Sequence, residues 1–554
     1  MSHYFRRKTT EVKIGGLLLG SDNPIHIQSM TSTSTDDIPG SVNQAIRIIE
    51  AGGALVRFTA QGVREAENLY GIRSDLRRRG YFTPLVADIH FNSIAAFTAA
   101  GTVEKVRINP GNFVDSVRKF EEKEYSVKEY AEELEKIRGQ FVPFLEICKR
   151  NGTAVRIGVN HGSLSDRIIF RYGNTPEGMV ESCMEYLRVC VAEDFQNVVV
   201  SMKASSAKLM TAGVRQLVAA MDREDMHFPI HLGVTEAGDG EDGRIKSAVG
   251  IGTLLHEGIG DTVRVSLSED PEKEITVARA LVHYISGCDY SAVSSVSVPY
   301  TSPPFVIADY SKSTYFLPNP ELLPDFIYRG ENLPLEGNND FRHFTTLKAS
   351  SINAATINNL KNYPETIIIL TANSHREHRA TVALLRSEKM PNPVVIHRIY
   401  NETDAGLFRL KAAADCGYFF MEGLADGLFL QNAGNSLSSE TVYTCAFGIL
   451  QASGARISKT EYIACPGCGR TLFDLQTTLR RVKSATSHLK GLKIGVMGCI
   501  VNGPGEMADA DYGYVGAGAG RISLYKGREC IKKNIQEEDA VEELLNIIEE
   551  NSYP

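Results

Sequence analysis

The sequence predicts an α/β protein with three parts: an N-terminal (β/α)8 TIM barrel, an inserted second α/β barrel-like domain, and a small C-terminal α/β domain that carries a cysteine motif. Two patterns lead there. Between residues 25 and 267, eight short apolar runs rich in β-branched residues alternate with helical stretches, the length and rhythm of a parallel eight-stranded barrel. Past residue 286 that rhythm breaks into a proline-rich stretch and then resumes, which marks a boundary and a second module.

The eight expected strands are Ile25–Met30, Leu55–Thr59, Leu85–Ile89, Val106–Ile108, Val155–Val159, Val198–Lys203, Ile230–Glu236 and Thr262–Leu267. Helices are expected at Gly40–Glu50, Glu122–Arg150, Pro176–Ala192 and Ala207–Asp222, with Glu272–Ser286 closing the barrel. A doubly wound sheet more often carries a glycine-rich phosphate turn after its first strand, and none stands here. Seven of the 21 prolines fall between Pro299 and Pro334, so that segment reads as a linker or extended wrap. Further strands are expected at Thr366–Leu370, Val394–Tyr400, Tyr418–Glu422 and Leu428–Gln431. The barrel's closing run Gly260–Leu267 is echoed by Ala425–Gln431, with Phe429 where Arg264 stands, so an anion site there would be lost. The last domain starts near residue 455 and closes with an amphipathic helix, Glu537–Glu550, while Ala517–Gly520 lacks the spacing of a nucleotide loop and reads as a turn. The expected domains are 1–286, 287–436 and 437–554.

Composition narrows the class. A chain of 554 residues with 43% hydrophobic and 23% charged residues is an ordinary globular protein of several domains. No apolar run reaches the ~18 residues of a membrane span, and the basic N-terminus lacks a secretory core, so a cytoplasmic protein is expected. A net charge of −8 argues against nucleic acid as a partner. Ten scattered cysteines are too few for a disulfide framework. Cys148, Cys183, Cys190, Cys288, Cys416 and Cys445 read as reduced core residues, and Cys530 as a surface thiol.

Four barrel strands carry an arginine between apolar neighbours, at Arg57, Arg107, Arg156 and Arg264, and Lys203 ends a fifth. Strand alternation turns each toward the barrel axis. Buried guanidinium groups cost several kcal/mol unless paired. Internal carboxylates such as Asp88 and Glu236 are too few to neutralise five cations, whereas a diphosphate matches arginine forks. Asn109, Asn112, Asn160, Ser163, Ser266 and Ser268 follow the same strands and can donate to the same oxygens. His90, His231 and Glu236 are the groups placed for acid–base work, Glu236 foremost because it ends its strand at the substrate face, while His161 is ambiguous.

The C-terminal domain contains Cys465-Pro-Gly-Cys468-Gly-Arg and Gly-Cys499-Ile-Val-Asn-Gly-Pro-Gly-Glu506. Three soft thiolates and one exchangeable carboxylate suggest chemistry at a metal centre. A structural zinc site usually adds a second C-x-x-C or a His pair; an iron–sulfur cluster fits this donor set better, and zinc stays as the alternative.

These motifs, with Ile-Gln-Ser-Met-Thr at the first strand, Val-Arg-Ile-Asn-Pro-Gly-Asn at 106–112 and Glu-Gly-Ile-Gly-Asp-Thr-Val-Arg-Val-Ser-Leu at 257–267, closely resemble the 4-hydroxy-3-methylbut-2-enyl diphosphate synthases of the methylerythritol phosphate route to isoprenoids. The match covers about 1–285 and 437–554; the middle looks like the extra domain of the larger, plant-like form. The resemblance implies a sulfite-reductase-like C-terminal domain and a 4Fe–4S cluster on Cys465, Cys468, Cys499 and Glu506. It implies reductive ring opening of 2-C-methyl-D-erythritol 2,4-cyclodiphosphate with loss of water, fed by ferredoxin or flavodoxin. Catalytic roles fall to Glu236, Glu506 and Asp88; diphosphate contacts fall to Arg57, His90, Arg107, Asn109, Arg156, Asn160, Ser163, Lys203, Arg264 and Ser266. In the short enzymes a homodimer brings one subunit's cluster to the partner's barrel; here the insert is expected to act as a spacer that lets one chain complete its own site. A zinc-stapled, non-catalytic binding protein for a phosphorylated metabolite is the contrasting class.

Overall fold

The computed structural model describes residues 5–90, 92–115, 125–288, 298–300, 302–312, 319–330, 336–337, 343–434, 436–500, 503–507 and 509–552. Parts of the proline-rich stretch (301, 313–318, 331–334), residues 122–124 of an expected helix, and Val501 and Asn502 of the cysteine motif lie outside them.

Eight parallel strands form the barrel: β1 His26–Met30, β2 Leu55–Ala60, β3 Leu85–Ile89, β4 Lys105–Ile108, β5 Ala154–Asn160, β6 Val198–Lys203, β7 His231–Leu232 and β8 Thr262–Val263. β8 pairs with both β7 and β1, and a parallel bridge between Val200 and Ile230 closes the ring. Outward residues such as Val56, Phe58, Val106, Val155 and Ile157 join the helices in one large core. Polar caps start several of those helices: Ser126 heads a capping box with Glu129, and Thr175 and Ser206 cap the next two long ones. At the barrel's base a short hairpin, Val12–Ile14 with Leu17–Leu19, buries Val12, Ile14 and Leu19 against Leu55, Val86, Ala154 and Val199.

The middle segment forms an open half-barrel of seven strands, in the order Glu336–Gly337, Phe326–Tyr328, Phe305–Asp309, Gly427–Asn432, Val394–Tyr400, Ile367–Thr371 and Phe344–Lys348. All neighbouring pairs are parallel except the first. Two expectations are corrected here. The segment read as a linker supplies the Phe305–Asp309 and Phe326–Tyr328 strands. Tyr418–Glu422, read as a strand, is the end and cap of the helix Ala405–Met421. Its aromatic run favours a strand locally, but burial against the barrel decides the outcome. That helix packs on the barrel helix Gly240–His256 so closely that a Cβ at Gly252 would lie 2.8 Å from the Ala414 Cβ. In the same seam, buried Asp415 accepts hydrogen bonds from Arg398 (2.7 Å), Tyr400 (2.9 Å) and Tyr284 (2.7 Å), with His256 Nε2 3.4 Å away. The helix Ser439–Ala452 packs on the Phe305–Asp309 and Gly427–Asn432 strands, and thus goes with the half-barrel.

The C-terminal sheet runs Glu461–Ala464, Lys493–Met497, Tyr512–Gly518, Arg521–Lys526 and Glu529–Gln536 in sequential order, the first three parallel. Helices Leu475–Thr486 and Ala540–Ser552 complete its own small core.

Candidate active site

The C-terminal sheet caps the mouth of its own chain's barrel. A parallel bridge joins Ala237, which follows Glu236, to Ala464, which precedes Cys465. Ser268 Oγ donates to the Cys465 carbonyl (2.7 Å) and so holds the cysteine loop rather than an anion. Peripheral ion pairs add Lys246–Glu461 (2.9 Å), Lys459–Asp242 (2.6 Å) and Lys483–Asp239. On the opposite rim two glycines meet: a Cβ at Gly505 would fall 1.8 Å from the Gly162 carbonyl oxygen, and one at Gly162 2.5 Å from the Glu506 nitrogen. Only bare backbone permits that approach.

One cavity results. Its walls take Arg57, Asp88, His90, Arg107, Arg156, Asn160, Lys203, Glu236, Arg264 and Ser266 from the barrel, and Cys465, Cys468, Arg470 and Cys499 from the cap. The inward turn of the strand cations is therefore real, yet their partners differ. Arg264 is neutralised: Nε and Nη2 each reach Glu274 at 3.0 Å, a carboxylate contributed by the helix Pro271–Ser286. Arg107 donates to Asp88 (3.3 Å), the Gly158 carbonyl (2.7 Å) and Asn160 Oδ1 (3.2 Å). Among the described residues Arg57 donates to the Met30 thioether, Nη2 at 2.8 Å, with the Asp88 charge nearby, and burial lowers it to about 10. Buried Arg156 leaves Nε and Nη1 without partners among the described residues, and burial lowers it strongly, as it does Lys203. Donors without acceptors in a sealed pocket are costly unless a ligand supplies the acceptors.

Burial alone would raise Asp88, but Arg57 and Arg107 outweigh it and hold the carboxyl well below the usual range. It remains an anion that orients guanidinium groups, which does not suit a proton donor. Burial and then Arg107 push His90 well down, so it stands as a neutral imidazole beside Arg107 (2.5 Å). Glu236 adopts a left-handed backbone, φ +48°, a strained state for a side-chain-bearing residue and one concentrated at functional sites. Burial raises its carboxyl, and burial followed by the Glu236 charge raises Glu506 further. Glu506 turns toward the barrel, accepting from Asn160 Nδ2 (2.9 Å) and Thr235 Oγ1 (3.3 Å).

Some expected contacts fall elsewhere. Asn109 and Ser163 bond each other (2.8 Å) and lie outside the cavity wall, with Asn109 also capping the turn after β4. Asn112 is buried off the wall, His161 meets the Asn174 carbonyl, and His231 lies deep in the barrel beside Thr262. Thr235 and Arg470 are among the wall residues to which the sequence assigned no role. Thr235 had no signal beyond preceding Glu236; Arg470 had one, since it follows Cys468 by two positions.

The cysteines suit a metal centre. Cys465 Sγ accepts an N–H from Gly498 (3.2 Å), and burial pushes its thiol up to about 12, so a thiolate there needs a positive centre beside it. Among the described residues no three His, Cys, Asp or Glu gather around a point for a single ion. Cys465, Cys468 and Cys499 nonetheless line one cavity, a set of soft donors that a metal centre would use.

Known proteins agree with this arrangement. Residues 9–279 match the family described as the GcpE TIM-barrel domain, and residues 461–550 the GcpE protein C-terminal domain. The chain is 53% identical to the 4-hydroxy-3-methylbut-2-en-1-yl diphosphate synthase (flavodoxin) of Bacteroides thetaiotaomicron, across 99% of this chain and 98% of that protein. The synthases so named from Parabacteroides distasonis and Akkermansia muciniphila are 54% and 41% identical, each over 99% of this chain and 98% and 97% of their own lengths.

Proposed function

The chain belongs to the GcpE family, and from that premise we infer its reaction and the parts its residues play in it. It is an enzyme, an iron–sulfur oxidoreductase that opens 2-C-methyl-D-erythritol 2,4-cyclodiphosphate reductively, with loss of water, to 4-hydroxy-3-methylbut-2-enyl diphosphate in isoprenoid biosynthesis. The observation that carries the assignment of roles is the shared cavity, where unpaired cations of the barrel face three cysteines of the cap within one chain.

Cys465, Cys468, Cys499 and Glu506 would hold a 4Fe–4S cluster, which would supply electrons to the substrate. The chain's own residues do the rest. Arg57, Arg156 and Lys203 give the diphosphate oxygens donors that lack oxygen partners among the described residues, and Arg107 adds its charge beside them. Asp88 keeps Arg107 aimed. Asn160 and Thr235 donate to Glu506 and hold it against the barrel, beside the place the cluster would occupy. Glu236, tied to the cysteine loop through the Ala237–Ala464 bridge, is the group placed to deliver a proton to the departing hydroxyl. The insert serves as a spacer that lets the cap reach its own barrel. Flavodoxin, the donor that the relatives' names carry, is the proposed electron donor, with ferredoxin as the other candidate. Among the described residues no helix is long and apolar enough to cross a membrane, and a cytoplasmic site of action is proposed.

Anaerobic iron and sulfide analysis with an optical spectrum, on wild type and Cys499→Ser, tests the reading. About four irons per chain and a brown band lost in the variant support it. Zinc in protein produced with ample iron would sink the mechanism and leave a phosphate-binding barrel.

A further inference from the structure

We propose that Arg470, borne on the cysteine loop, is a phosphate-binding cation of the barrel site, so that one diphosphate is held from the cap as well as from the barrel. The proposal rests on the mouth being an anion site. The Arg470 side chain is 6% exposed although it belongs to a different sheet from the strands it meets. Its path inward is set by Gly469, where a Cβ would lie 2.6 Å from Thr59 Oγ1 and 2.7 Å from the Thr33 carbonyl oxygen. The tip reaches β3: Nη2 lies 3.3 Å from Asp88 Oδ2 and 3.4 Å from the Asp88 carbonyl, both long single contacts, and Nε has no partner.

That is a poorly served guanidinium by the standard of Arg264, which holds Glu274 with two contacts of 3.0 Å. Asp88 is already shared with Arg107. The cavity wall thus presents Arg57, Arg107, Arg156, Lys203 and Arg470 against the carboxyl groups of Asp88 and Glu236. A diphosphate supplies the missing acceptors to barrel and cap at once, and its binding energy then goes into bringing the cysteines to the substrate. An arginine fits this task because its planar fork bridges Asp88 and a phosphate oxygen together.

The test uses anaerobic holoenzyme and inorganic pyrophosphate, with Arg470→Met and Arg470→Gln. Affinity is read by titration calorimetry, cap closure by hydrogen exchange at residues 160–163 and 503–507, and cluster loading by iron content. The expected result is pyrophosphate affinity lower by about tenfold to a hundredfold, loss of the protection that pyrophosphate confers on both segments, and unchanged iron. Either variant decides if the other fails to fold. Wild-type affinity in a folded variant, or iron loss with affinity intact, overturns the proposal and makes Arg470 a prop for the cysteine loop. Wild type that binds pyrophosphate but leaves the cyclodiphosphate unreduced defeats the functional reading alone.

Discussion

The barrel and the half-barrel are built from the same parallel strand–helix rhythm, yet they spend their inner faces in opposite ways. Inside the barrel stand Arg57, Asp88, Arg107, Arg156 and Lys203, several without full hydrogen-bond complements. The corresponding face of the half-barrel gathers Ile307, Phe326, Ile367, Ile369, Val395 and Phe429 in an apolar cluster, with His397, Gln431 and Asp309 hydrogen-bonded to one another at its edge. The contrast is sharpest at Arg264 and Phe429, the third residues of Thr-Val-Arg and Gly-Leu-Phe in equivalent closing strands. Shared architecture therefore says little about chemistry; the inward residues decide it.

Exchanging the two interiors is the direct way to break this comparison. Arg156→Leu should lower kcat/KM for the cyclodiphosphate by roughly a hundredfold to a thousandfold, while urea unfolding shows stability unchanged or raised by about 1 kcal/mol, because an unpaired buried charge has gone. A large fall in stability would show that Arg156 has internal partners. The reverse swap, Phe429→Arg, should cost about 3 kcal/mol or more by the same measurement, with KM of the folded fraction unaltered. A changed KM would mean that the half-barrel takes part in the site.

A smaller effect concerns the seam between the two units. Burial alone would raise the Asp415 carboxyl, but Arg398 and His256 outweigh it and depress it far below its unfolded value. A depressed carboxylate contributes stability above its unfolded pKa and gives it up as pH falls. Wild type should therefore lose about 1 kcal/mol more than Asp415→Asn between pH 6 and pH 3, read from unfolding midpoints at each pH. Equal losses in the two proteins would remove Asp415 from the acid response.

The barrel was readable because strand alternation makes a charge between two apolar residues conspicuous, as in Val106-Arg107-Ile108. The cysteine loops were readable from spacing alone. Pairings across the chain were not: nothing near Arg264 announces Glu274, and nothing near Asn109 announces Ser163, because neither partner shares a local pattern with the other. Tyr418-Phe419-Phe420 misled for a related reason, since contact with the barrel helix Gly240–His256 overrides the local preference for a strand. Proline density hid Phe305–Asp309, whose pairing with Gly427–Asn432 comes from more than a hundred residues away.

The hairpin under the barrel closes one end of the site. With Val12, Ile14 and Leu19 packed across the base, the described residues leave the cap side, where Gly162 touches Gly505, as the end at which substrate enters and product and water leave. The cap thus sits in its own doorway, and each turnover has to lift and reseat it.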